Sequence, residues 1–392
     1  PLVRGFYILG NKEDGIAGLD FLSMPTGRDT SLIPNLFVNK NGIKGAKNLV
    51  FTGYYAVGNN TALWLITEDN QYTLDFSSTK TEVDVLPKNL DNILFPTMEG
   101  VQKPFHLANV LPAPYGPNCT ALCGSNRILL TDSEAYCASI ISGEAYGQPV
   151  TRDASTVTAN IFTPYKVAFY AGNSTYVSTF FFYDTTNNCF KVPTGGYSSY
   201  ACTFCKKPTD SATPFYWDQT NYTPVRTIVY GENGYGNAGR SYALMTDGQN
   251  YYVYGFKAQT SATGMPTKAT ASTIDPNDAI DIAKASHYAF FSMQQIILYS
   301  VGSKLYAYDY ARKDCKMIND FGEEITYLAF DFHSASRPTD LLVATYSPAQ
   351  KGTLFKYTVT DDINNINVEG RVDAVWHTDL RIEKVFWRYC TN

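Results

Sequence analysis

Ser241-Tyr-Ala-Leu-Met-Thr-Asp-Gly-Gln-Asn-Tyr-Tyr-Val-Tyr254 is the stretch from which the architecture can be read. An apolar run meets a polar break at Asp247-Gly248, and alternating aromatic residues follow. Asp-Gly accepts the left-handed backbone that a tight turn needs, so the segment predicts a β-hairpin. The same grammar recurs along the chain. Residues 62–76 turn near Asp69, 127–136 near Asp132 and 179–192 near Asp184. Residues 296–308 turn near Gly302, and 341–357 near Gly352. A seventh hairpin fits the start, with Gly5-Phe-Tyr-Ile-Leu9, a turn at Asp14-Gly15, and Leu19-Asp-Phe-Leu22. The turn centres are roughly 50 to 60 residues apart, which is a blade-sized period.

Seven such units fill the 392 residues and predict one all-β domain over 1–392, a β-propeller of about seven four-stranded blades. Residues 382–389, Ile-Glu-Lys-Val-Phe-Trp-Arg-Tyr, read as a last strand. An unpaired edge strand invites aggregation, so this strand is expected to pair in the N-terminal blade and close the ring. Trp387 and Tyr389 would then be core or closure residues. Helical periodicity is poor; residues 276–286 read at most as a short helix or turn. A tandem of two sandwiches would also show short strands, but not one hairpin pattern at this period.

Composition agrees with the β reading. The chain has 30 Tyr, 23 Phe and 28 Gly, and aromatics are 15% of it. Charged residues are only 17%, below the ~25% usual for soluble domains, so Asn, Ser, Thr, Gln and Tyr supply much of the polar surface. Such a surface suits neutral polar ligands, sugars or peptides, as well as serving simply as a solvated exterior. Net charge is −5 and no basic stripe occurs, which argues against nucleic acid and against adhesion to anionic membranes. No apolar run reaches ~18 residues, so no transmembrane helix is expected. The opening Pro1-Leu-Val-Arg-Gly-Phe-Tyr7 is already strand-like and reads as a truncated or processed start, with any export signal or lipid anchor upstream.

Catalytic motifs do not emerge. The four histidines, His106, His287, His333 and His377, sit in no ligand spacing, and no G-x-S-x-G elbow occurs. The turn carboxylates at Glu68, Asp69, Asp132, Asp184 and Asp247 are explained by turn geometry, because Asp bonds its own backbone there. The sequence therefore implies no cofactor, no metal and no catalytic set. Two close cysteine pairs, Cys119/Cys123 and Cys202/Cys205, read as local disulfides, as buried thiols, or as a four-thiolate zinc site.

Binding candidates lie in apparent loops. Phe215, Tyr216 and Trp217 sit between turn formers; they offer either an aromatic platform for a sugar or partner, or a cap on the core. Trp376 and His377 fall in a similar inter-blade segment. Tyr235 and Arg240 belong to a Gly-rich stretch, Gly231-Glu-Asn-Gly-Tyr-Gly-Asn-Ala-Gly-Arg240, that lacks a phosphate-loop ending. It reads as a ligand-contacting loop or as a long inter-strand turn.

Later segments carry a resemblance. Asp281-Ile-Ala-Lys-Ala-Ser-His-Tyr-Ala-Phe290 and Ile297-Leu-Tyr-Ser-Val-Gly-Ser-Lys-Leu-Tyr-Ala-Tyr-Asp-Tyr310 resemble the PKD-like family lipoproteins of Bacteroidetes. So do Glu324-Ile-Thr-Tyr-Leu-Ala-Phe330, Leu341-Leu-Val-Ala-Thr-Tyr-Ser-Pro348 and Gly352-Thr-Leu-Phe-Lys-Tyr357, and the opening residues 5–9 and 19–21. The likeness spans nearly the whole chain and is strongest from about residue 225. These motifs are structural repeats. The resemblance implies a lipid-anchored protein at the outer-membrane surface, with small Ig-like modules ahead of the propeller that would lie upstream of this chain; that it is not an enzyme is expected from the lack of a catalytic constellation. Its partners would be a TonB-dependent transporter and that transporter's surface lipoprotein, and its cargo an oligosaccharide or peptide. A glycan- or peptide-active hydrolase and a purely structural subunit are the alternatives. The resemblance carries over no site residues.

Overall fold

The computed structural model describes residues 4–37, 42–52, 62–75, 82–113, 126–139, 144–171, 177, 179–194, 204–235, 239–258, 265–331, 339–359, 367–368 and 375–389. They form seven antiparallel sheets arranged as the blades of a β-propeller. Blade 1 joins the two ends of the chain. Its strands are Arg381–Tyr389, Arg4–Asn11, Ala17–Ser23 and Ser31–Ile33, in that order. The closure expected from the sequence is therefore present, with Phe6 opposite Trp387 and Arg4 opposite Tyr389. The Phe6 and Trp387 rings meet edge-on at 5.1 Å, and Trp387 is fully buried. The side chain of Tyr389 lies outside the described residues.

Blade 2 (Ala46–Thr52, Ala62–Thr67, Gln71–Asp75, Asp84–Pro87), blade 5 (Thr227–Asn233, Ser241–Thr246, Tyr251–Lys257, Thr267–Ile274) and blade 6 (His287–Phe291, Ile296–Val301, Lys304–Asp309, Asp314–Asp320) are four-stranded and run in chain order from the channel outward. Blade 7 consists of Glu324–Asp331, Asp340–Ser347 and Lys351–Thr358, with the short strands Asn367–Val368 and Val375–Thr378 both paired to the last of these. Blade 3 (Leu107–Leu111, Asn126–Thr131, Ala135–Ser139) and blade 4 (Phe182–Asp184, Cys189–Pro193, Cys205–Lys206) have three strands each among the described residues. In blade 4 the innermost position is taken by residues 164–169, joined through the bridges Phe169↔Phe181 and Pro164↔Asp184.

The hydrophobic pattern explains the arrangement. Leu341, Leu342, Val343 and Ala344 form a continuous apolar run because both faces of their strand are buried. Leu341 and Val343 pack toward blade 6, and Leu342 and Ala344 toward blade 1. Seven apolar clusters result, one between each pair of adjacent blades. Each strand thus contributes to two cores, and a Leu→Ala change such as Leu342→Ala costs about 2–5 kcal/mol.

The hairpin turns lie together on one rim. Gly248 has φ 92 and Gly302 φ 60, which side chains rarely adopt, so glycine is favoured at these turns. The turn carboxylates cap their own backbone. Asp184 Oδ1 accepts from the N–H of Thr186 and Asn187, and Asp247 Oδ1 from Gln249 and Asn250. The residues 276–286 contain a single short 3-10 turn, Ile282–Lys284. Among the described residues no helix is long and apolar enough to cross a membrane.

Candidate functional site

The innermost strands all run in the same direction and wall a central channel. Five of them carry a one-residue irregularity at matching register: between Ala46 and Asn48, Leu107 and Asn109, Ile228 and Tyr230, and Ile325 and Tyr327, and on Arg381–Tyr389 between Ile382 and Lys384. A bulge leaves one residue unpaired and re-aims its neighbour. Asn109, Tyr230, Tyr327 and Lys384 all line a cavity of about 260 Å³ in the channel. Asn48 Nδ2 donates to Asn109 Oδ1 at 3.3 Å, and the Asn109 amide in turn donates to the Lys166 carbonyl at 3.0 Å. In blade 6, Tyr288 stacks on Tyr230 with ring centroids 5.4 Å apart.

The channel is chemically divided. One side carries the tyrosines of blades 5, 6 and 7. The other carries the Asn48–Asn109 pair and the Lys384 ammonium. Burial pushes Lys384 down to about 8, with no neighbouring charge contributing, and the ammonium has no hydrogen-bond or ion-pair partner among the described residues. Glu232 is also walled in by protein, and burial pushes its carboxyl up to about 8. It is held by the Tyr230 hydroxyl at 2.5 Å and the Phe290 N–H at 2.9 Å. Burial lifts the Tyr165 hydroxyl to about 12 and raises Tyr327, whose hydroxyl donates to the Val385 carbonyl at 3.3 Å.

Charge pairing marks the mouth on the turn rim. Arg381 forms a two-pronged pair with Glu324 at 2.8 and 3.2 Å, tying blade 1 to blade 7. His287 sits nearby, and its burial lowers the imidazole's affinity for a proton. Among the described residues no three His, Cys, Asp or Glu side chains converge as a metal site.

A second concavity, about 760 Å³, lies between blades 1 and 7. Arg4, Arg28, Lys356, Trp376 and Trp387 line it, and the Arg4 guanidinium sits 4.9 Å from the Trp387 ring centroid.

The aromatic platform expected at 215–217 is corrected by the structure. Phe215 and Trp217 are buried between blades 4 and 5. Phe215 stacks flat on Tyr254 at 4.0 Å, and Trp217 meets Phe215 edge-on at 5.1 Å. The segment is pinned along blade 4 by the Trp217 carbonyl, which accepts from Phe190 N–H, so its apolar rings turn inward. Tyr216 is half-buried with its ring against Tyr222. Trp376 and His377 are strand residues opposite Leu354 and Thr353, not loop residues. Trp376 lines the cleft between blades 1 and 7, while His377 is exposed.

Tyr235 does line the channel cavity, with its hydroxyl 3.4 Å from that of Tyr170. Arg240 is half-buried near Tyr310, and its carbonyl accepts from Gly234 N–H. Arg240 does not line the cavity. Cys205 is a buried free thiol donating to the Val150 carbonyl at 3.3 Å, in keeping with the buried-thiol reading among the three given for it. Cys119, Cys123 and Cys202 lie outside the described residues. Sequence reading missed Asn48, Asn109, Tyr230, Tyr327 and Lys384. The available signal was a polar or tyrosine residue in the apolar strand ahead of successive hairpins.

No protein-family model matches the chain, and no curated protein matches it. Solved structures do resemble it. A candidate 6-phosphogluconolactonase from Bacteroides uniformis superimposes over 98% of this chain and 99% of its own, with TM-score 0.50 and 10% identity. The two share the propeller fold. YCF48 from Cyanidioschyzon merolae matches over 86% of this chain and 92% of its own, with TM-score 0.43 and 12% identity. The extracellular domain of a candidate one-component system from B. thetaiotaomicron matches at TM-score 0.41 and 11% identity. It covers 82% of this chain, which spans only 33% of that one. At these identities the likeness concerns the fold alone.

Proposed function

We propose that this propeller is a non-catalytic binding module at the bacterial outer-membrane surface, an accessory lipoprotein of a TonB-dependent nutrient-uptake system. Its channel takes a small piece of glycan or peptide. The observation that carries the reading is the register-matched set Asn109, Tyr230, Tyr327 and Lys384 around one cavity. Tyrosine faces with amide and ammonium donors suit a ligand that is part apolar and part hydrogen-bonding. The cavity of about 260 Å³ is just under the ~300 Å³ where drug-sized pockets begin, which fits one sugar ring or a dipeptide. The resemblance of residues 281–310 and 324–357 to PKD-like family lipoproteins supports the cellular setting.

The test is a pull-down of the tagged full-length precursor from native outer membranes. Stoichiometric recovery of a TonB-dependent transporter with its surface lipoprotein is expected. Recovery of the propeller alone counts against the assembly.

A second reading, a glycan- or peptide-active hydrolase, is favoured by Glu232. Its carboxyl keeps a proton near neutral pH, as a general acid must, and Asp331 lines the same cavity. Product release from oligosaccharides or peptides, abolished by Glu232→Gln, would establish that reading instead.

A further inference from the structure

We infer that the ligand of this channel carries a carboxylate, and that the Lys384 ammonium is its counter-ion. The inference rests on the channel being the ligand site proposed above.

Lys384 is the residue that the bulge at Glu383 turns toward the cavity. The other charges of the neighbourhood are engaged elsewhere. Arg381 and Glu324 pair with each other at the mouth. Lys47, on the inner strand of blade 2, pairs with Glu68 at 3.1 Å. Glu383 lies within 3.7 Å of Arg381. Glu232 accepts from Tyr230 and Phe290, and Asp331, though it lines the same cavity, exerts no charge effect on Lys384, whose shift comes from burial alone. Lys384 therefore stands in a walled space as a cation with no counter-ion among the described residues. Burying a charge without a partner is costly, and a ligand that brings the missing anion recovers that cost on binding.

The charge count selects the class of anion. One ammonium matches one negative charge, and its three N–H donors match the lone pairs of a carboxylate. The remaining wall consists of neutral donors and aromatic faces, Asn109, Tyr230, Tyr235 and Tyr327, which suit the uncharged body of the ligand. A sugar acid and a peptide C-terminus share this chemistry.

Isothermal titration of the whole chain distinguishes them. The probes are sodium glucuronate against glucose, and N-acetyl-alanyl-alanine against its C-terminal amide. At pH 7 at least one acid is expected to bind tenfold or more tighter than its neutral partner, since a hydrogen bond to a charged group is worth that much. The acid that does so names the source. Lys384→Met should erase the preference, and Lys384→Arg should retain it. Raising the pH to 9.5 empties the ammonium of the free protein and should weaken the acid by up to the size of its preference, about sevenfold where that preference is tenfold, without touching the neutral probe. Glu232 ionises in the same range, so the pH loss must also survive in Glu232→Gln. Equal binding of acid and neutral probes, or a preference that persists in Lys384→Met, overturns the carboxylate while leaving the channel as a binding site. Binding of none of the four probes, in a chain whose melting is cooperative, overturns both.

Discussion

Replacing Lys384 by methionine should stabilise the protein, against the usual direction of a mutation in a packed region. The free amine takes up its proton near 10.5 in the unfolded chain and at about 8 in the folded one. At about 1.36 kcal/mol per pKa unit, that difference corresponds to roughly 3 kcal/mol of strain at neutral pH. Lys384 is only half-buried, and screening by solvent relieves part of the strain, so a gain of about 1–3 kcal/mol is expected. Methionine keeps the length of the side chain and most of its packing. With an unfolding entropy of about 2.1 cal/mol/K per residue, the midpoint should rise by roughly 1–4 °C. The pH dependence carries the diagnosis. A lysine with a depressed folded value destabilises fully below about 8, and the penalty fades as pH climbs from about 8 to 10.5, where the folded amine is neutral and the unfolded one half so. Urea unfolding at pH 7 and pH 10.5 therefore should show Lys384→Met ahead at the first and level with the wild type at the second. A variant weaker than the wild type at pH 7, or a gain that does not change with pH, would refute the picture of an unpaired ammonium.

Glu232 should show the opposite sign. Its folded carboxyl holds a proton to about 8 while the unfolded one releases it near 4.5, so stability should fall as pH rises across that window. Glu232→Gln should flatten that slope by a few kcal/mol in thermal melts taken at pH 5 and 8. Trp217→Ala should cost about 3–5 kcal/mol in urea unfolding, as a core aromatic does, yet leave any ligand affinity unchanged in the surviving folded fraction. Trp387→Ala should cost a similar amount and make limited proteolysis begin at the strand Arg381–Tyr389, because it removes the ring contact that latches blade 1.

The blade count and the closure were legible because hairpin chemistry is local. Asp247-Gly248 and Gly302 dictate turns wherever they stand, and the residues 382–389 read as a strand without a neighbour. Phe215 and Trp217 were ambiguous for a physical reason: a segment crowded with turn formers can still be pinned against a sheet edge, here by the Phe190 N–H donating to the Trp217 carbonyl, while the Asp210 carboxylate accepts from the Trp217 and Asp218 N–H groups within the segment. The channel was illegible. Asn48, Asn109, Tyr230, Tyr327 and Lys384 come from five separate repeats, and each owes its direction to a bulge, which breaks the period-two pattern that sequence reading relies on. Lys384 in particular reads as an outward residue of an edge strand until ring closure places that strand innermost.

The central claim is that the channel binds a ligand, and the most direct measurement is a crystal structure of the chain soaked with the tightest probe of the titration. The account predicts density within hydrogen-bonding reach of Lys384 and Asn109, with Tyr230 against its apolar face. A probe held only in the cleft between blades 1 and 7, beside Trp376 and Arg4, with the channel holding solvent alone, would contradict it.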